Sequence, residues 1–175
     1  DTGVAAWLEK TKKDYAFENQ ALKKIDFLKR KVVLLTAHRR ENYLTNGMKN
    51  IIASVNALIQ KHPHMEVILP LHLNPNVRKV IKKTLLENHR VQLVEPLSDK
   101  DMVKVMQLSY LILTDSGGIQ EEAPTFGKPV LVLRKVTERP EGIASGVAKL
   151  VGTGKNLIMK EVENLFEEIN YLKMA

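Results

Sequence analysis

The 175 residues, 44% hydrophobic and 27% charged, suit one ordinary globular domain, with room for an extra arm, and suffice to bury a core. No apolar run reaches bilayer length and no secretory signal opens the chain; the lack of cysteine excludes disulfide and thiolate chemistry and fits a cytoplasmic setting. A net charge of +7 and a pI of about 9.5 favour an anionic partner, but scattered lysines, 5% aromatics and no nucleic-acid motif point to a small phosphorylated ligand instead.

Residues 1–30 read as an arm. Val4 to Glu9 suits a short helix, Thr11 to Tyr15 is charged, and Phe17 to Lys29 has helical spacing through Leu22, Ile25 and Leu28. The first residue is not methionine, which suggests a piece of a longer protein. Residues 31–175 then alternate strand and helix. Val32 to Thr36 is a buried strand running into the polar cluster Ala37-His38-Arg39-Arg40-Glu41-Asn42. Met48 to Gln60 is an amphipathic helix, and Met65 to Leu69 a second strand that delivers Pro70-Leu71-His72-Leu73-Asn74-Pro75. Asn74 is a good N-cap and Pro75 a good first residue for a helix reaching about Glu87. Val91 to Val94 is a third strand, and Ser98 caps a helix from Asp99 to about Leu108. A fourth strand begins at Leu111 and a fifth spans Val130 to Leu133. A short helix from Pro140 to near Gly146, a strand from Ala148 to Val151 and a helix from Lys160 to Leu172 complete the pattern. Such alternation predicts an α/β fold: a doubly wound, parallel, Rossmann-like sheet of about six strands.

The most informative stretch joins the fourth and fifth strands. Thr114-Asp115-Ser116-Gly117-Gly118 breaks the apolar run, helical spacing resumes from Ile119 to Phe126, and Gly127-Lys128-Pro129 closes it. A glycine turn between a strand's carboxyl end and a helix start gathers unpaired N–H groups, so it can receive an anion. Glu121 and Glu122, about one turn inside, can accept from a sugar diol. Phosphate donors beside a diol acceptor suggest a nucleotide. The same residues also make an ordinary N-cap, with glutamates that merely suit the helix dipole. His38, Arg39 and His72 divide likewise between a surface ion-pair cluster and a ligand site. Three strand ends carrying such residues in one sheet favour one shared crevice.

Other motifs fall away. Gly152-Thr153-Gly154-Lys155 lacks the P-loop spacing and is followed by Asn156, and no G-x-G-x-x-G occurs. His62-Pro63-His64 lacks a carboxylate cluster and cannot pair on a helix, so no metal site is expected there. Ser116 has no G-x-S-x-G elbow and is not a hydrolase nucleophile.

TAHRREN at 36–42, PLHLNPNVRKV at 70–80, LTDSGGIQEEAPTFGKPVLVLR at 113–134 and TERPEG at 137–142 together resemble the non-hydrolysing UDP-N-acetylglucosamine 2-epimerases, in order and spacing, from about Thr2 to the final helix. The resemblance implies the carboxyl-terminal, UDP-binding half of a GT-B fold, without the amino-terminal domain that carries the family's acid/base carboxylates. It implies interconversion of UDP-GlcNAc and UDP-ManNAc by elimination and re-addition of UDP, for cell-surface polysaccharides, with no nicotinamide or metal cofactor and a homodimeric parent. Carried over position by position, Ser116, Gly117 and Gly118 grip the diphosphate, Arg139 meets phosphate, and Glu122 accepts from the ribose with Glu121 in support. His38 lies at the diphosphate or reacting sugar. Leu97 faces uracil, and Met102 stands where some members place an aromatic ring. Arg39, Glu41 and His72 resemble positions linked to a second, regulatory UDP-GlcNAc. The alternatives are a GT-B glycosyltransferase domain, a hydrolysing 2-epimerase and a non-catalytic nucleotide or nucleic-acid module; the HRREN and HLNPNVR motifs favour the epimerase.

Overall fold

The computed structural model describes residues 16–137 and 140–175. Six strands form one sheet: β1 (Lys31–Thr36), β2 (Met65–Pro70), β3 (Val91–Val94), β4 (Leu111–Thr114), β5 (Val130–Val132) and β6 (Ala148–Leu150). Their order is β3-β2-β1-β4-β5-β6 and every pairing is parallel, with Val33 opposite Val67 on β2, and Leu34 opposite Ile112 on β4. This is the doubly wound order, and the winding direction reverses between β1 and β4.

Side-chain alternation along the strands makes two cores. Val33 and Leu35 face one side, with α2 (Gly47–Lys61), α3 (Pro75–Thr84) and α7 (Lys155–Phe166) packed over them. Val32 and Leu34 face the other, covered by α4 (Asp99–Leu108), by Leu22 and by Ala123. Burial on both faces explains why the strands read as continuous apolar runs rather than alternating ones. The remaining helices are α1 (Arg40–Tyr43), α5 (Gly117–Glu122), α6 (Pro140–Ala144) and α8 (Glu168–Met174). A 3-10 turn, Ala123–Phe126, extends α5 and ends at Gly127, whose φ of 68° is the left-handed conformation that glycine tolerates best.

Several boundaries differ from the sequence expectation. The helix expected over Phe17 to Lys29 reduces to a 3-10 turn, Leu22–Lys24. Asn19 Oδ1 accepts from the Ala21 N–H, and Asp26 Oδ1 accepts from the N–H groups of Leu28 and Lys29, so side chains offer the backbone turns in place of helix. Leu28 is left 99% exposed, whereas Leu22 is buried. The segment is held down by Asp101, a buried carboxylate that accepts from the N–H groups of Glu18 and Asn19. The expected helix over Val4 to Glu9 and the charged run from Thr11 to Tyr15 lie outside the described residues.

Helix α3 stops at Thr84 rather than Glu87 because Asn56 on α2 takes over its end: Nδ2 donates to the Thr84 carbonyl, and Oδ1 accepts from the Leu86 N–H. The single helix expected from Lys160 starts at Lys155 and breaks at the extended Glu167 into α7 and α8. Lys31 Nζ donates to the Phe166 carbonyl and Tyr110 Oη to that of Leu165, satisfying the last carbonyls of α7. Among the described residues no helix is long and apolar enough to cross a membrane.

Candidate functional site

Ligand crevices in open α/β sheets lie beyond the strands' carboxyl ends where the winding reverses. A cleft of about 320 Å³ occupies that place. Thr36, Ala37 and His38 line it from the end of β1, Pro70 to Leu73 from β2, Pro96 and Leu97 from β3, and Ser116 and Ile119 from the turn after β4; Met102 on α4 completes the wall. The walls are mostly apolar, with a few convergent polar groups, as in small-molecule sites generally. The structure thus places His38, His72, Leu97, Met102 and Ser116 around one space.

The two histidines form one unit. Their rings stack with centroids 4.9 Å apart and planes 19° apart. The Asn74 N–H donates to His72 Nδ1 at 3.1 Å, which leaves the His72 proton for Nε2. Arg78 on α3 donates to the His72 carbonyl and forms a two-pronged ion pair with Glu95, tying the loop after β2 to that after β3. Burial lowers the pKa of His38, Asp115 opposes that shift, and His72 and Arg39 reinforce it. Burial thus favours the neutral His38 ring.

The turn between β4 and α5 presents Ser116 as N-cap, but its side chain makes no capping hydrogen bond. Its own N–H donates to Thr114 Oγ1 at 2.9 Å, and Thr114 Oγ1 lies 2.6 Å from Thr36 Oγ1, coupling the two strand ends. Gly117 is buried and Gly118 exposed. A methyl group at Gly118 would meet nothing closer than Ser116 Oγ at 3.9 Å, so packing alone does not demand glycine there. Glu122 follows Ile119 by three positions and shares its helix face. Burial, then Asp99 and Glu121, hold the Glu122 carboxyl above the usual carboxylate range.

Not every expected site residue lines the cleft. Gly117, Gly118, Glu121 and Glu122 on α5, and Arg39 and Glu41 at α1, are outside its lining. Glu41 accepts from the Arg134 Nε at 2.7 Å, so its carboxylate serves a largely buried guanidinium. Arg139 lies outside the described residues. Among the described residues no cluster of three or more His, Cys, Asp or Glu is placed to hold a metal ion.

The sequence reading missed Asp115 and Asn42. Asp115 is fully buried and accepts from the N–H groups of His38 and Arg39 and from Asn42 Nδ2, at 2.9–3.1 Å. Arg39 Nε in turn donates to the Asp115 carbonyl. The signal was an acidic residue at the very end of a buried strand, where a carboxylate needs donors from elsewhere in the chain.

Comparison with known proteins fixes the family. The family model described as UDP-N-acetylglucosamine 2-epimerase matches residues 2–175. The chain belongs to the UDP-N-acetylglucosamine 2-epimerase family. It is 52% identical to the UDP-N-acetylglucosamine 2-epimerase of Neisseria meningitidis over 146 residues, covering 83% of this chain and 39% of that protein. The crystal structure of the Neisseria meningitidis epimerase bound to UDP-GlcNAc matches with a TM-score of 0.88 at 46% identity, covering 98% of this chain and 47% of that one. The S. aureus MnaA–UDP co-structure gives a TM-score of 0.85 at 43% identity, over 97% and 46% of the two chains. The chain spans less than half the length of these epimerases, and its fold is the carboxyl-terminal half of a GT-B fold. The C-terminal domain of a Francisella tularensis group 1 glycosyltransferase shares that fold at 17% identity, with a TM-score of 0.62 over 91% of this chain and 88% of that one.

Proposed function

We propose that this chain is the UDP-binding half of a non-hydrolysing UDP-N-acetylglucosamine 2-epimerase, which interconverts UDP-GlcNAc and UDP-ManNAc in the cytoplasm for cell-surface polysaccharide synthesis. The observation that carries the reading is the cleft at the winding reversal, where His38, Leu97, Met102 and Ser116 line one space. Uracil lies against Leu97 and Met102. Ser116, Gly117 and Gly118 bind the diphosphate, together with Arg139, and Glu122 accepts from the ribose hydroxyls. The uncapped N–H groups of the α5 turn suit an anion.

His38 faces the departing UDP. Its neutral ring donates one hydrogen bond, and the negative charge of a diphosphate nearby raises its pKa, favouring the imidazolium that stabilises a leaving group. Moving the C2 proton needs a base, and no carboxylate is among the described residues that line the cleft. In this reading elimination and re-addition of UDP use carboxylates beyond this chain, and the chain alone binds UDP without epimerising. A homodimeric parent, and a second UDP-GlcNAc held near Arg39, Glu41 and His72, belong to the same reading.

Isothermal titration of the chain with UDP, repeated with Ser116→Ala and Glu122→Ala, tests the placement. Weakening by about 1 kcal/mol or more in each variant is expected. Unchanged affinity in both would remove the nucleotide from this turn. Release of free ManNAc by the intact enzyme would replace the non-hydrolysing reading with the hydrolysing one.

A further inference from the structure

We infer that Asp115 is a positioning residue: its buried carboxylate fills the N–H cradle at the start of α1 and so fixes His38 on the cleft wall against His72. The value of that position for UDP rests on the function proposed above; the clamp itself rests on geometry.

Asp115 closes β4, and the residues it holds follow β1, its neighbour across the winding reversal. Oδ1 and Oδ2 both accept from the His38 N–H, at 3.1 and 3.0 Å. Oδ2 also accepts from the Arg39 N–H and from Asn42 Nδ2, each at 2.9 Å. Asn42 Nδ2 additionally donates to the Leu133 carbonyl just beyond β5, so the clamp ties three strand ends together. A carboxylate with no exposure is costly to bury unless donors of this number and quality meet it. The His38 and Arg39 N–H groups are consumed in the process, and the His38 side chain lines the cleft.

Oδ1 lies 3.8 Å from His38 Nε2, too far for a hydrogen bond and close enough for charge to act. The charged or titratable groups acting on His38 are Asp115, His72 on the loop after β2 and its neighbour Arg39. Of these groups only Asp115 favours the protonated ring, helped by a hydrogen bond to the His38 backbone, against burial and the other two. The carboxylate therefore sets both where the imidazole stands and how readily it takes a proton as negative charge arrives.

Asp115→Asn removes the charge while the amide oxygen can keep the three Oδ2 hydrogen bonds; what is lost besides the charge is the second, Oδ1 contact to the His38 N–H. The experiment follows the His38 ring proton by NMR across a pH titration of the whole chain, and measures UDP affinity in wild type, Asp115→Asn, His38→Ala and the double variant. The titration midpoint of His38 is expected to fall in Asp115→Asn. UDP binding should weaken about tenfold in that variant, the loss of one charge-assisted contact, and no further once His38 is already alanine. An unmoved midpoint, or the same loss with and without His38, would overturn the inference. If Asp115→Asn does not fold, Asn42→Ala removes one arm of the clamp without touching the charge; its effect on UDP must likewise vanish in the His38→Ala background. Failure of the wild type to bind UDP would refute the nucleotide reading, and the midpoint shift would still decide whether Asp115 governs His38.

Discussion

Two turns flank the winding reversal, and they are built from the same parts. Each carries a buried strand into the amino end of a short helix: β1 into α1, and β4 into α5. In the first, the backbone N–H groups of His38 and Arg39 are taken by the Asp115 carboxylate. In the second, Ser116 makes no capping bond, and Gly118 is exposed with nothing within 3.9 Å of where a side chain would begin. The two N–H groups ahead of the helix are satisfied at both turns, but those of Asp115 and Ser116 by the strand ends themselves, the Thr36 carbonyl and Thr114 Oγ1, and those of His38 and Arg39 by a side chain from the other turn. What separates them is a single buried acid, placed one residue before the glycine turn and pointing back across the sheet.

The strongest way to break the contrast is Asp115→Ala. It orphans the His38 and Arg39 N–H groups and the Asn42 amide, so a loss of about 3 kcal/mol or more in folding stability is expected by denaturant titration. Stability within about 0.5 kcal/mol of wild type would mean that the clamp is not holding the turn.

Gly118→Ala should do the reverse. The added methyl is compatible with the fold, so the melting temperature should hold or rise, while UDP affinity drops if phosphate packs on this backbone. Equal loss of stability and affinity would point to a folding defect instead.

Glu122 sharpens the contrast through pH. Its folded-state pKa is raised, chiefly by burial, so its contribution to stability is present below the unfolded carboxyl pKa and lost as pH rises through the folded one. Glu122→Gln should therefore melt higher than wild type at neutral pH, with the gap closing at acid pH, while binding UDP more weakly. As pH falls, the wild-type glutamate should lose its acceptor role earlier than an ordinary carboxylate. An acid-insensitive UDP affinity would contradict its placement at the ribose.

The smallest effect is expected at Met102, which lines the cleft along with Ser116. Met102→Phe offers uracil a ring to stack on and should tighten UDP by about 0.5–1.5 kcal/mol in the same titration.

The strands and the parallel, doubly wound class of the sheet were legible because apolar runs such as VVLL and VIL fit strands covered on both faces. The caps at Asn74 and Ser98 were equally legible, since each side chain acts on its own helix. The arm was misread as helix because Leu22, Ile25 and Leu28 share a helical spacing, while Asn19 and Asp26 impose turns that spacing does not register. At the cleft, polar residues after strands marked His38, His72 and Ser116. The Asp115 clamp joins residues more than 70 positions apart, and no local pattern announces such a partner. Glu41 stood out in the HRREN run, but only the fold shows its carboxylate turned to Arg134.

The central claim, a nucleotide diphosphate at the glycine turn of this cleft, is tested most directly by amide NMR of the chain titrated with UDP. The resonances of Ser116, Gly117 and Gly118 should shift first, together with the His38 and His72 rings, while the Arg39 amide, already held by Asp115, moves least. Shifts centred on the start of α1, or away from the cleft altogether, would contradict the account.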